Sequence, residues 1–367
     1  MKKNIFVFAL ILTFSICSAQ NLKRPEYIHS YERIIEDAQI AFDDKNYGDS
    51  LTLAEKAKNE RKSKSEYEVF VLENAFKPAE VKKQGNSISE SLKILQEREN
   101  YEAINIIERN FIKYGKEIFK DSKSVLIEFL RNNVAFPEAD FLIGKIYCLE
   151  GEYEIAYKYL FQAYENSANL DVSDEKYSIL YELADVSKIL NKDDKYEEFL
   201  LLILSQSSEF KDESLKKSML RTVSSTKSDC LEKFFTLYRA SNYSLLKAYF
   251  SLSNFYIGQD EKEKALVTCQ FGVITAYSKI IDVLKKRNAD FEPTDIVSVF
   301  KEIALYPDII QWGIENNVWE GFYNLADLTY ANNDLIFCIQ LFNVLKDNEP
   351  ESYWKNKSAV RLDEITP

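Results

Sequence analysis

Apolar residues recur at three- and four-residue spacing along nearly the whole chain, and that spacing predicts helices. In the stretch 153–163, for example, Tyr153, Ala156, Leu160 and Ala163 fall on one helical face. Sandwiches and barrels need glycine- and proline-rich turns at short intervals. Only 9 glycines and 7 prolines occur in 367 residues, so the pattern predicts an all-α chain.

The predicted helices come in antiparallel pairs, clearest over 137–168. Pro137 suits a first helical turn, where no amide donor is required. The first helix carries Ile143, Gly144 and Tyr147 and breaks near Glu150-Gly151-Glu152; the second carries the stripe just described. Small residues at Gly144 and Ala156 let the two helices approach, with Tyr147 and Leu160 filling the space beside them. Weaker copies follow the same spacing. Ala38, Ala41, Tyr47, Ala54 and Ala57 flank a turn at Asp44-Lys45-Asn46, and Leu92, Leu95 and Ile104 flank Glu99-Asn100-Tyr101. Leu183-Ala184 precede a turn at Asn191-Lys192-Asp193-Asp194, expected to be longer than the others. Leu252-Ser253, Tyr256, Ala265 and Cys269 surround Gly258-Gln259-Asp260, and Phe322, Leu325-Ala326, Asn333, Phe342 and Pro350 form the last copy.

This pattern resembles the tetratricopeptide repeat: an aromatic, then Leu-Gly-x2-Tyr, then Ala-x3-aromatic and a final proline. Asp140 stands in the place of the first aromatic and Ala168 in that of the proline. The resemblance is specific over 136–204. It implies helix pairs stacked into a superhelical solenoid. Equivalent positions Ala38, Leu92, Gly144, Ala184, Ser253 and Ala326 are unevenly spaced, so extra helices are expected at 122–133, 214–240 and 294–305. Joints are expected at 74–86 and 205–212, and 351–365 as a helix capping the last repeat. The division expected is a signal peptide 1–19, N-terminal repeats 20–135, the best-matched pair of repeats 136–210, and irregular repeats with the cap 211–367.

The first residues change the compartment. Lys2-Lys3, an apolar run to Ile16 and the small residues before Gln20 have the layout of a secretory signal cleaved after Ala19. The chain is therefore expected to be periplasmic or secreted, with no integral membrane span after cleavage. The alternatives are a retained N-terminal anchor and a lipoprotein tethered through Cys17, the latter disfavoured by Ile16 where a small residue is usual. Charge narrows the partners. The 47 basic and 59 acidic residues give −12, and loss of Lys2 and Lys3 takes this to −14. Nucleic acid needs a positive surface and is not expected as a partner. Cys148, Cys230, Cys269 and Cys338 have no CxxC spacing and are read as small core residues, with one long-range bridge left open.

Candidate chemistry is sparse. His29 is the single histidine, which removes a His-ligated metal site and a Ser-His-Asp arrangement at any promising position. No phosphate-cradling glycine motif occurs. The carboxylate pairs Glu150/Glu152 and Asp193/Asp194 sit in interhelical turns, where charge serves solubility. No catalytic residue, metal or cofactor is expected, and the chain is read as a non-enzyme. The resemblance implies instead a groove lined by the first helices that holds a protein or peptide partner. By helical phase, Glu138, Phe141 and Lys145 (with Cys148) face outward on the helix of Gly144, and Tyr181, Asp185 and Lys188 (with Ser178) on that of Ala184. The function expected is an adaptor or scaffold in the bacterial cell envelope, serving outer-membrane, peptidoglycan or periplasmic motor assemblies. The alternative is an envelope enzyme, such as a glycan-acting one, with its site on a helical insertion in 205–306.

Overall fold

A computed structural model of the chain describes residues 30–366. The expected signal segment, Cys17 and His29 lie outside the described residues. Within them the chain is all-α: no strand forms, and the nearest thing to one is an isolated bridge between Ser87 and Ser122. The chain divides into two compact units, Met1–Ile146 and Tyr147–Pro367.

The first unit holds α1 (Ser30–Asp43), α2 (Tyr47–Phe76), α3 (Ala79–Lys82), α4 (Ile88–Glu97), α5 (Tyr101–Tyr114) and α6 (Lys123–Asn132), and most of α7 (Pro137–Glu150), which crosses the division. The second holds α8 (Tyr153–Glu165), α9 (Glu175–Ile189), α10 (Asp193–Leu204), α11 (Ser208–Lys211), α12 (Glu213–Val223) and α13 (Cys230–Leu237). It continues with α14 (Leu246–Gly258), α15 (Lys262–Arg287), α16 (Ile296–Ile303), α17 (Pro307–Glu315), α18 (Val318–Ala331), α19 (Leu335–Asn348) and α20 (Ser352–Ile365).

Six helix ends close in the same way. A residue with left-handed backbone follows each: Lys45 (φ 62°), Glu99 (55°), Gly151 (80°), Asn191 (55°), Asp260 (57°) and Asn333 (65°). The next residue's N–H then donates to the carbonyl five positions back: Asn46 to Ala41 (2.8 Å), Asn100 to Leu95 (2.9 Å), Glu152 to Tyr147 (3.0 Å), Lys192 to Ser187 (2.9 Å), Glu261 to Tyr256 (2.9 Å) and Asp334 to Thr329 (2.8 Å). These are Schellman closures, which satisfy carbonyls that a helix end otherwise leaves open. Five of the six turns place a side chain in a conformation costing roughly 1–2 kcal/mol relative to the right-handed one, and the added hydrogen bonds offset it. The Asn191 turn has the same geometry as the rest, so the longer turn expected there does not form.

The repeat-equivalent residues Ala38, Leu92, Gly144, Ala184, Ser253 and Ala326 each stand seven positions before the left-handed residue, and all but half-buried Leu92 are buried. In two pairs a serine hydroxyl crosses between the helices. Ser50 of α2 donates to the Ala38 carbonyl at 2.8 Å, and Ser253 of α14 donates to that of Ala265 at 3.2 Å. Helices must lie close for so short a side chain to reach the opposite backbone, which is what the small residues permit.

The expected extra helices are present as α6, α12 with α13, and α16. A further one, α17, begins on Pro307 and was not expected; proline at a first helical position costs no hydrogen bond. The capping helix forms as α20. Trp354 packs on Tyr323 with ring centroids 5.2 Å apart, and Arg361 pairs with Asp327 at 2.8 Å. The long helix α15 is apolar enough, by length and composition, to cross a membrane, contrary to the reading that no such segment follows the signal. Some 78% of its apolar window is buried among neighbouring helices, as in the core helix of a folded unit.

In the first unit, Leu72, Phe76, Val81, Ile88, Leu95, Ile106, Ile107, Phe119 and Leu126 close one apolar core. The starts of α4 and α6 are locked together beside it. The Asp121 carboxylate accepts from the Ser87 hydroxyl and from both the amide and the hydroxyl of Ser89, each at 2.7 Å. Those bonds hold its carboxyl below the usual range. The joint expected at 74–86 therefore contains α3 and leads directly into this lock.

Candidate functional site

The inward stripe of α2 begins apolar, with Ala54 and Ala57, and returns to apolar at Val69, Leu72 and Ala75. Between them the buried positions are Arg61, Ser65 and Glu68. A charged residue without partners is expelled from such a face, because desolvation costs more than the stem gains. Here α5 and α6 supply the partners. Arg109 Nη2 donates to Glu68 Oε1 at 3.3 Å, and Asn110 Nδ2 approaches Glu68 Oε2 at 3.4 Å. The Ser65 hydroxyl donates to the Leu130 carbonyl.

Arg61 is only 5% exposed. Its guanidinium lies over the Phe136 ring at 4.9 Å and the Tyr31 ring at 5.7 Å, and Nη2 donates to Asn133 Oδ1 at 3.1 Å. Asn133 in turn donates to the Tyr114 hydroxyl at 2.8 Å. The other nitrogen, Nη1, is buried and has no hydrogen-bond partner among the described residues. Lys64 adds its ammonium 4.8 Å from the Tyr31 ring centroid, and burial holds it below the ordinary lysine value. Burial first, and then the hydrogen bond to Glu32, raise the Tyr31 phenol.

These groups line a cavity of about 250 Å³ within the first unit, bounded by α1, α2, α5 and α6. Basic residues outnumber carboxylates in its lining, Arg61, Lys64, Arg109 and Lys113 against Glu32 and Glu68, so its sign is positive. That sign runs against a chain carrying −12 overall. The cavity was not foreseen from the sequence. The signal was there: a helical stripe whose central positions are Arg61, Ser65 and Glu68 instead of leucine or alanine.

The predicted groove residues fall into two sets, one in each unit. On α7, Phe141 is buried at 8% exposure, so it packs inside the first unit and is not the outward anchor expected. Lys145 lies over it at 5.5 Å and over Phe42 at 4.5 Å, which ties α7 to α1. Glu138, one turn earlier, is half-buried. Asp140, the departure from the repeat pattern, is fully buried and pairs with Lys58 of α2 at 2.6 Å; burial raises its carboxyl while Lys58 opposes the shift.

On α9, Asp185 pairs with Lys247 of α14 at 2.8 Å, and the same ammonium lies 5.2 Å from the Tyr181 ring. The Tyr181 hydroxyl donates to the Ser244 carbonyl at 3.0 Å, and burial pushes its phenol up to about 12. Lys188 is exposed and lies over the Tyr196 ring at 5.5 Å. The Cys148 thiol is pushed up to about 11, by burial first and then by the charges of Glu182 and Asp185. The α9 set is thus one half-buried face, already joined to the next first helix. The link continues from α14 to α18 through Asn324 and Asn254 at 3.0 Å. Cys230, Cys269 and Cys338 are buried free thiols, as the sequence implied.

No family model matches the chain. It is similar to an uncharacterized protein of Treponema pallidum (strain Nichols), 29% identical over 333 residues, which span 90% of this chain and 88% of that protein. The likeness therefore runs through both units and is not confined to one repeat.

Proposed function

We propose that the chain is an exported helical-repeat protein of the tetratricopeptide type, acting as a protein-binding adaptor or scaffold in the bacterial cell envelope. The observation that carries this reading is the recurrence of one turn geometry, with a small residue at a fixed offset before five of its six copies. Repetition of one unit produces neighbouring first helices, and side-by-side first helices make an extended surface for a partner. In the second unit that surface runs over α9, α14 and α18, with Tyr181, Asp185, Lys188, Lys247 and Asn254 along it. Export is supported by the N-terminal layout of two lysines, an apolar run and small residues. The long likeness to a bacterial protein supports the setting.

The test is affinity capture from a native envelope with the wild-type chain and with Lys188→Glu and Tyr181→Ala. A stoichiometric partner held by the wild type and lost by both variants is the expected result. A partner retained by both places binding elsewhere, and absence of any stoichiometric partner overturns the adaptor reading. The mass of the exported chain tests the compartment: a start at Gln20 is expected, whereas an acylated Cys17 replaces the free form with a tethered one.

A further inference from the structure

We propose that the cavity between α1, α2, α5 and α6 is a binding site for a small dianion, a phosphate-bearing or dicarboxylate ligand, held by Arg61 and Lys64. This stands apart from the partner-binding surface on α9, α14 and α18, and neither depends on the other.

Three observations lead to it. First, the cavity is large enough, at about 250 Å³, for a small organic molecule, and it is lined by Arg61, Lys64, Arg109 and Lys113. Secondly, basic residues outnumber carboxylates in its lining. Glu68 is engaged by Arg109 and Asn110, and four basic residues share the lining with two carboxylates. A basic lining favours an anion over a neutral or cationic ligand.

Thirdly, Arg61 is built into the wall with its donors incompletely used. Phe136 and Tyr31 hold its plane, Asn133 takes one nitrogen, and Nη1 is left buried without a partner among the described residues. An unmet guanidinium donor in a buried site leaves its loss of water uncompensated. A planar fork already fixed in orientation is suited to carboxylate or phosphate oxygens, because little side-chain freedom remains to be lost on binding. Lys64, held over Tyr31, supplies a second charge from the same face of α2, one turn on. Its lowered proton affinity means that an arriving anion would also favour the charged ammonium, so the two events reinforce each other. Ile112 is 85% exposed at the cavity rim, next to the basic residue Lys113, and offers an apolar contact for the body of the ligand.

The experiment is isothermal titration calorimetry of the purified chain at low ionic strength with inorganic phosphate, succinate and, as a neutral isostere, succinamide. Saturable binding of one phosphate or succinate per chain is expected, with none for succinamide. The stronger of the two anions identifies the head group. Arg61→Gln should weaken binding by about tenfold or more, the loss expected for a charge-assisted hydrogen bond. Lys64→Gln, on the less buried side of the site, should weaken it by several-fold, while Lys192→Gln on the second unit leaves it unchanged. Circular dichroism of each variant establishes that it is folded, and Lys64→Gln keeps the test decisive if Arg61→Gln does not fold. Absence of saturable binding to either anion overturns the proposal. So does binding unchanged in a folded Arg61→Gln or Lys64→Gln chain, or equal binding of succinamide.

Discussion

Replacing Glu349 with glutamine should stabilise the chain by an amount that grows as the pH rises. Glu349 follows α19, directly before Pro350 and the capping helix α20. It is 3% exposed, and neither carboxyl oxygen has a hydrogen-bond partner among the described residues. Burial, and secondarily the charge of Glu351, push its carboxyl up to about 9 from 4.5. Glu351 is itself raised by its own burial and by Glu320, so the charges that act on this pair are acidic.

An acid whose folded value is raised binds a proton more tightly in the native state than in the unfolded one. Stability is then greatest below about 4.5 and falls as pH rises, by about 1.4 kcal/mol per pH unit, until the loss levels off above about 9. At pH 7 the accumulated cost is about 3 kcal/mol, and at pH 9 it approaches 6 kcal/mol. Glu349→Gln keeps the shape and removes the titration. Urea unfolding of both chains at pH 5, 7 and 9 isolates the effect, because every other titrating group is common to the pair. The advantage of the variant should be below about 1 kcal/mol at pH 5 and several-fold larger at pH 9. A difference that stays constant across that range would refute the reasoning, since it would mean that Glu349 is ionised and hydrated throughout.

Two further outcomes follow from the packing. A Cβ at Gly272 would stand 2.6 Å from Cε1 of the buried Phe250 ring and 3.3 Å from Tyr249 Cβ, so Gly272→Ala should destabilise the second unit by about 1–3 kcal/mol, read as a fall in Tm. An unchanged or higher Tm would show that the ring has room to move. Asp121→Ala removes the three hydrogen bonds that join the starts of α4 and α6 and should lose about 1–2 kcal/mol, with faster hydrogen exchange at the Ser89 amide. Unaltered exchange there would mean that the bridge does not hold the loop.

The helices and their turns were legible because they are local. A stripe at three- and four-residue spacing marks a helix wherever it folds, and five of the six turns announced themselves by polar or glycine residues at one fixed distance from a small one, Leu92 standing there in the sixth. Even the departure at Asp140 was visible as a mismatch, though not its cause: Lys58 lies on another helix, 82 positions earlier in the chain. The short helix α17 was missed because Pro307 reads as a breaker until its place in the first turn is known. Phe141 was misplaced for a related reason. Helical phase says which side of α7 it occupies, but not that α1 and Lys145 cover that side.

The charged cavity marks the same boundary between local and tertiary information. Its residues come from α1, α2, α5 and α6, and the stripe on α2 showed only that Arg61, Ser65 and Glu68 interrupt an apolar run. Alone, that interruption reads as a solvated face. Whether a charge is solvated, paired or left with an unmet donor depends on what packs against it, and that is a property of neighbours distant in sequence. The sequence by itself determined the helical period, the turns and the small residues that let helices pair. Only the tertiary structure decided which polar groups were buried, because desolvation and pairing act between elements brought together by folding.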